Sequence, residues 1–160
     1  MTEARQAEIV SFLAAWGWRD ADRAPLAGDA SPRRYFRLRQ GADRAVLMDA
    51  DPSRGESVER FLAVGRWLLA KGYSAPAILA EDVARGFLLL EDLGDGLFAR
   101  LVAEGHSEEL PLYRAATEFL ADLHQHLPPA FLAHADGRAL ADLVEQIGRA
   151  SWRERVCYAV

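Results

Sequence analysis

Residues 86–95 read GFLLLEDLGD, and the chain changes character within this stretch. Its first half is a short apolar run after a glycine, which is typical of a buried β-strand. Its second half is acidic and contains glycine, which is typical of an exposed link. Beyond it, apolar residues recur with helical spacing. The stretch therefore predicts the junction between a β-sheet and a helical region.

Four further strands are predicted before this junction. Residues 23–38 are interpreted as strand, loop and strand, because turn-forming residues lead into the aromatic run RYFRL at 34–38. Gln40 to Asp43 form a plausible hairpin turn into the run RAVLMDA at 44–50. Residues 76–80 are a further strand-like run. Together the five runs predict a five-stranded antiparallel sheet and an α+β fold.

Helices are predicted before the first strand, between the third and fourth strands, and after the fifth strand. Ser53 and Glu56 have the capping-box spacing at the start of a helix that Lys71-Gly72 would close. Pro128-Pro129 would stop a later helix. The apolar positions with helical period are Ile9, Phe12, Leu13 and Trp16, then Val58, Phe61, Leu62, Gly65, Leu68 and Leu69, and then Leu112, Ala116, Phe119, Leu120 and Leu123.

Composition and charge limit the functions open to the chain. It has 160 residues, 51% hydrophobic and 27% charged, as in a soluble globular domain. Its 24 acidic and 19 basic residues are mixed along the sequence and give a net charge of −5, so nucleic-acid binding is not expected. The polar N-terminus and the lack of long apolar runs predict no membrane segment and a cytoplasmic protein. Cys157 is the only cysteine, which excludes an intrachain disulfide and a cysteine–histidine zinc site.

Two segments carry a resemblance to a known family. Residues 29–37 read DASPRRYFR, and together with residues 86–95 and the order of elements they resemble the aminoglycoside phosphotransferase family, over residues 5–146. The resemblance implies a protein-kinase-like fold, with an N-terminal lobe over residues 1–92 and the start of an incomplete helical C-terminal lobe over residues 93–146. Within the family, LMDA at residues 47–50 and the acidic link are similar to bacterial kinases of the cell-wall amino sugars N-acetylmuramate and N-acetylglucosamine.

The resemblance also implies an activity. On this resemblance, the chain is expected to be the N-terminal part of an enzyme that uses ATP and Mg²⁺ to phosphorylate a small hydroxyl compound, with a cell-wall amino sugar as the expected acceptor. Its partners would be ATP and that acceptor. Two alternatives stay open: a noncatalytic nucleotide-binding module, or a phosphotransferase for an aminoglycoside, choline or homoserine.

Candidate nucleotide-binding residues follow from the positions that match the family. The phosphates would lie under the turn between the first two strands, and the adenine would be bound by backbone groups of the acidic link, which serves as a hinge. Each position also has an ordinary structural explanation, such as a β-turn, a solvated strand charge or a strand end. The candidates are Asp29, Ser31, Arg33, Arg34, Arg37 and Asp49 near the phosphates, and Glu91, Asp92 and Leu93 at the hinge.

The sequence departs from the kinase pattern at two places. Kinase-like enzymes use a third-strand lysine that pairs with a glutamate of the next helix, but the only lysine here is Lys71, and Glu59 is a weak candidate for the glutamate. One of Arg33, Arg34 or Arg37 is expected to supply the missing charge. The triplet His134-Ala135-Asp136 is interpreted as a chance match to a catalytic loop. No catalytic residue or metal ligand is therefore assigned, and the Mg²⁺ ligands are expected beyond this sequence.

Residues 147–156 read IGRASWRERV and resemble the in-frame translation of a sequencing-library adapter. Such a scar is left out of fold reasoning, and residues 147–160 are expected to be a non-native tail. On this interpretation the natural gene continues past Gln146. The alternative is a genuine short basic tail.

Overall fold

The computed structural model describes residues 1–26, 32–105 and 108–126. These residues form two compact units, of which the first comprises Met1–Lys71 and Pro76–Asp92 and the second contains Gly72–Ala75 and the helices after Leu93. The elements are α1 (Glu3–Ala15), β1 (Asp22–Pro25), β2 (Arg34–Gln40), β3 (Asp43–Asp49), a short 3₁₀ turn (Pro52–Arg54), α2 (Glu59–Ala70), β4 (Ile78–Asp82), β5 (Phe87–Leu90), α3 (Phe98–Ala103) and α4 (Glu109–Leu123).

The first unit contains the predicted five-stranded antiparallel sheet, which is confirmed. Its strands lie in the order β1-β2-β3-β5-β4, and every neighbouring pair is antiparallel. The register places Arg34 opposite Asp49, and Asp49 opposite Phe87. At the β4–β5 turn, Gly86 has φ 71°, and a Cβ there would lie 2.0 Å from the carbonyl oxygen of Ala50. Only glycine fits this turn without moving β3.

Helix α1 covers one face of the sheet. Thr2 caps its N-terminus by accepting a hydrogen bond from the Arg5 N–H. The rings of Phe12 and Phe87 stack with their centroids 5.4 Å apart. The fully buried residues on this face are Ile9, Phe12, Leu13, Leu38, Ala45, Leu47, Ala80, Phe87 and Leu89.

The opposite face of the sheet packs against α2. Successive side chains of a strand point to opposite faces, so Met48 lies on this face whereas Leu47 lies against α1. The buried residues here are Met48, Ala50, Val58, Leu62, Leu88 and Leu90. Tyr35 and Val46 pack beside them and are partly exposed. The sheet is therefore covered on both faces, and its two faces can hold different polar groups at their edges.

The predicted capping box of the second helix is wrong. Ser53 lies in the 3₁₀ turn, and α2 begins only at Glu59, with Val58 at the cap position and no side-chain capping bond from it. The buried side chain of Val58 anchors this helix start instead. Glu56 is drawn away from the helix because its carboxylate pairs with Arg33.

The second unit contains the predicted later helix, which the structure confirms as α4, and the short helix α3 before it. Tyr73 packs edge-on against Phe119 with ring centroids 5.1 Å apart and donates a hydrogen bond to Asp122 at 2.5 Å. Burial and this bond raise the pKa of Tyr73 to about 12. The expected stop at Pro128-Pro129 and the expected tail lie outside the described residues.

The expected domain boundaries, 1–92, 93–146 and 147–160, stay predictions. None of the helices in the described ranges has both the length and the hydropathy that crossing a membrane requires.

Candidate functional site

The arginines around β2 are divided between the two faces of the sheet. Phe36 and Leu38 pack on the α1 side and Tyr35 on the α2 side. By the same alternation, Arg34 points to the α1 face, whereas Arg33 and Arg37 point to the α2 face. Three arginines that look equivalent in sequence therefore have different surroundings.

The α1 face holds an ionic cluster around a buried carboxylate, which we define as Arg5, Asp49 and Arg34 and call the buried cluster. Arg34 is its most exposed member, at 27%. The Asp49 side chain is 0% exposed. Its Oδ1 accepts hydrogen bonds from Nε and Nη2 of Arg5 at 3.1 and 2.7 Å, and its Oδ2 accepts one from Nη2 of Arg34 at 2.6 Å. A buried carboxylate is tolerated only when it is paired in this way. Within the described residues, Asp49 therefore acts as the link between α1 and the start of β2.

Arg5 also contacts residues outside this cluster. Its Nη2 also donates to the carbonyl oxygen of Arg85 at 2.7 Å, and its Nη1 donates to Glu8 at 2.8 Å. Its guanidinium carbon lies 3.9 Å from the ring centroid of Phe87, within cation–π range. Burial opposes the charge of Arg5, but the hydrogen bonds to Asp49 and Glu8 outweigh it and raise its pKa. Arg5 thus ties α1 to both β3 and the β4–β5 turn.

The α2 face holds a different ion pair. Nε of Arg33 donates to Oε2 of Glu56 at 2.7 Å, and the two side chains are 29% and 14% exposed. Burial opposes the charge of Arg33, but its pairing with Glu56, followed by its interaction with Tyr35, raises its pKa. This pair lies where the chain enters β2 from the predicted phosphate-binding turn and where it approaches α2.

Arg37 joins β2 to the acidic link. Its Nε lies 2.9 Å from Oδ2 of Asp92, and its Nη2 donates to Oδ1 at 3.1 Å. One hydrogen bond and one ion-pair contact thus join the two groups, and the side chains are only 12% and 4% exposed. This pair fixes the end of β5 against the sheet.

The other predicted hinge positions are arranged as follows. The Glu91 N–H donates to the carbonyl oxygen of Ala77 at 2.9 Å, and the Glu91 carboxylate accepts from the Ala77 N–H at 3.0 Å. Leu93 is 41% exposed. The hydrogen bonds of Glu91 therefore extend the pairing of β4 with β5 by one further step.

The structure thus brings Arg33 and Arg37 to one face and places Arg34 and Asp49 on the other. Asp29, Ser31 and the triplet at 134–136 lie outside the described residues, and the nucleotide role of every candidate stays a prediction. No group of three histidine, cysteine, aspartate or glutamate side chains in the described ranges is arranged to hold a metal ion.

Sequence reasoning missed two residues of these ion pairs, Arg5 and Glu56. A signal existed for Arg5, because it lies four residues before Ile9 and so falls within the apolar stripe of α1. No comparable signal existed for Glu56, whose spacing from Ser53 was interpreted as a capping box.

A cavity of about 280 Å³ opens on the α1 side of the sheet. Thr2, Arg5, Arg34 and Arg54 are among the residues that line it. Arg33 and Glu56 are not among the residues that line this cavity, whereas the candidate residue Arg34 is.

Comparisons with known proteins agree with this fold. The model of a family described as "APH: Phosphotransferase enzyme family" matches residues 22–156. A protein of Caulobacter vibrioides named N-acetylmuramate/N-acetylglucosamine kinase is 36% identical over 160 aligned residues, which cover 84% of this chain and 44% of that protein. A protein of the same name from Pseudomonas aeruginosa is 43% identical over 106 residues, or 64% of this chain and 31% of its own length. The chain spans less than half the length of these relatives.

Proposed function

Because the chain belongs to the phosphotransferase enzyme family APH, we propose that it forms part of an enzyme that phosphorylates a cell-wall amino sugar with ATP. The α+β architecture, with its five-stranded antiparallel sheet and flanking helices, is the kinase-like N-terminal lobe of this family. The observation that carries the proposal is the similarity, over 84% of the chain, to a kinase named for N-acetylmuramate and N-acetylglucosamine.

The proposed reaction transfers the γ-phosphoryl group of ATP to a sugar hydroxyl. The bond from the sugar oxygen to the γ-phosphorus forms as the bond from that phosphorus to the bridging oxygen breaks, and ADP leaves. The hydroxyl proton passes to a base. Since such catalysis depends mainly on positioning and on charge around the phosphates, the described residues contribute by holding ATP in place.

Several described residues fit the ATP part of this proposal. One face of the sheet carries the guanidinium groups of Arg33, the last residue of the predicted turn, and of Arg37, and guanidinium groups bind phosphate oxygens well. Arg34 and Asp49 would support that turn from the other face. Glu91, Asp92 and Leu93 would bind the adenine through backbone groups. Asp29 and Ser31, which lie outside the described residues, are proposed from the sequence to contact the phosphates.

The described residues contain no cluster of three potential metal ligands, and Mg²⁺ that accompanies a nucleotide is usually held by one or two carboxylates together with the phosphates. We therefore assign no step to it here, and we propose that its ligands belong to segments C-terminal to α4. The enzyme is proposed to act in the cytoplasm, where ATP is available.

The test is an acceptor screen with the full reading frame that encodes this chain. ADP release is measured with N-acetylmuramate, N-acetylglucosamine, kanamycin, choline and homoserine, and the product is identified by phosphorus NMR. Release of ADP that depends on the two amino sugars supports the proposal. ADP release with only another acceptor, or with none, contradicts it.

A further inference from the structure

The usual partner of the ATP phosphates is missing from β3. In kinase-like enzymes a lysine on this strand holds the phosphates and is itself held by a glutamate of the next helix. Here the positions of β3 and its end that pack against α2 are apolar: Val46, Met48 and Ala50. Arg44 has the same alternation but is exposed at the start of the strand, beside the hairpin turn. The face that would carry the lysine–glutamate pair therefore lacks it at the usual place.

The same face nevertheless holds an arginine–glutamate pair a short distance along the chain. We propose that Arg33 binds the nucleotide phosphates and that Glu56 is its positioning residue, so that together they replace the lysine–glutamate pair. This inference rests on the proposed function. Arg33 is the last residue before β2, and Glu56 lies three residues before α2. The pair thus joins the predicted phosphate-binding turn to the approach of the helix.

The surroundings of the three candidate arginines favour Arg33. Arg34 points to the α1 face, where it is needed to neutralise the buried Asp49. Arg37 is paired with Asp92 through one hydrogen bond and one close ion-pair contact, and is only 12% exposed. The Arg33 side chain is 29% exposed, more than twice as much, which makes it the more accessible of these two candidate arginines on the α2 face.

Glu56 is also better placed than the residue that the sequence pattern suggested. Glu59 lies in the first turn of α2 and is exposed, whereas the Glu56 side chain is 14% exposed and lies 2.7 Å from Nε of Arg33. A long arginine side chain loses considerable rotamer freedom when it binds a phosphate. A carboxylate that holds Nε in advance reduces that loss, because the guanidinium is already oriented before the nucleotide arrives.

The experiment uses the enzyme from the full reading frame and measures both binding and turnover. Dissociation constants for ATP, ADP and adenosine are determined for the parent and for R33A, R33K, E56Q and the double variant R33A/E56Q. R66A is the matched control, because Arg66 forms an exposed pair with Glu81 in the same unit. Adenosine reports the adenine site without phosphates, so it separates phosphate binding from general damage.

R33A is expected to weaken ATP and ADP binding by roughly tenfold to a hundredfold, as for loss of a charged hydrogen-bond donor, with adenosine binding unchanged. R33K is expected to recover part of this loss. E56Q is expected to weaken ATP binding less, and to have no further effect in the R33A background, because Glu56 acts only through Arg33. R66A should match the parent.

Parent-like ATP binding by R33A would overturn the proposal while leaving the enzyme function intact. An E56Q effect of equal size in both backgrounds, or tighter ATP binding by E56Q, would reject the positioning role. A parent that binds ATP but phosphorylates no amino sugar would contradict the proposed acceptor alone. A parent that binds no ATP would contradict both proposals.

Discussion

The two faces of one sheet carry ion pairs of opposite character. On the α1 face, Asp49 is completely buried and is held by Arg5, which is 7% exposed, and by Arg34. On the α2 face, Arg33 and Glu56 form a pair that stays partly open to solvent. Arg33 and Arg34 are consecutive in the sequence, so the alternation of side chains along the chain is what places them in two different environments.

The difference suggests a division of labour between structure and ligand binding. A buried ion pair such as Arg5 with Asp49 cannot rearrange without leaving a charge unpaired in the interior, so it holds elements together. A partly exposed pair can exchange water for a ligand at low cost. We therefore expect the Arg5–Asp49–Arg34 cluster to determine stability and the Arg33–Glu56 pair to affect binding with little effect on stability.

The largest expected effect comes from breaking the buried cluster. Asp49→Ala should lower the free energy of unfolding by about 3–5 kcal/mol, because it leaves the buried Arg5 guanidinium without its main partner. Asp49→Asn should cost nearly as much, since the amide keeps the volume but removes the charge. Urea unfolding of the chain measures both changes.

Asp43→Ala is the matched control for this measurement. Asp43 lies on the same strand but is exposed, so its removal should change the free energy of unfolding by less than about 0.5 kcal/mol. Equal effects at positions 43 and 49 would show that the buried cluster does not stabilise the fold.

A smaller effect is expected on the α2 face. Glu56→Gln should lower the free energy of unfolding by at most about 1 kcal/mol, because the Arg33–Glu56 pair is partly solvated and Arg33 can turn toward water. Urea unfolding under the same conditions provides the comparison with Asp49→Asn. A loss as large as that of Asp49→Asn would mean that the two faces do not differ in the way we propose.

The sequence predicted the sheet, but not the contacts of the buried cluster. Counting outward from the predicted hairpin turn at Gln40 to Asp43 places Arg34 opposite Asp49, as observed. Arg5 was visible as a charge within an apolar helical stripe, but its partner was not, because helix-to-sheet docking depends on tertiary packing rather than on periodicity.

The Arg33–Glu56 pair could not be predicted from sequence patterns. Glu56 follows a 3₁₀ turn whose path brings it back toward β2, and no local spacing rule encodes that return. The same path explains the wrong capping box, since a glutamate that pairs with Arg33 cannot also cap the helix. The strands were therefore predictable from local pattern, whereas the polar contacts between distant segments were not.

The smallest expected effect concerns the β4–β5 turn, which presents the Arg85 carbonyl to Arg5. The Arg85 N–H donates to Oδ1 of Asp82 at 3.0 Å, and the Arg85 side chain pairs with Oδ2 at 2.7 Å. The backbone hydrogen bond, partly opposed by burial and supported by the side-chain bond, lowers the pKa of Asp82 below its usual 3.8. A carboxylate with a lowered pKa in the folded state stabilises the fold above its unfolded pKa, and this contribution disappears as the pH falls through the folded value.

Asp82→Asn should therefore be less stable than the parent by about 0.5 kcal/mol at neutral pH, a size typical of a partly exposed pair. The difference should shrink as the pH falls from about 5 to about 3, because the parent then loses the same charge by protonation. Urea midpoints of the two proteins along a pH series measure this, and other acidic groups cancel because both proteins contain them. A difference that stays constant with pH would show that Asp82 acts through its shape and neutral hydrogen bonds. The charge of the turn would then contribute nothing to the way in which the α1 face holds Arg5.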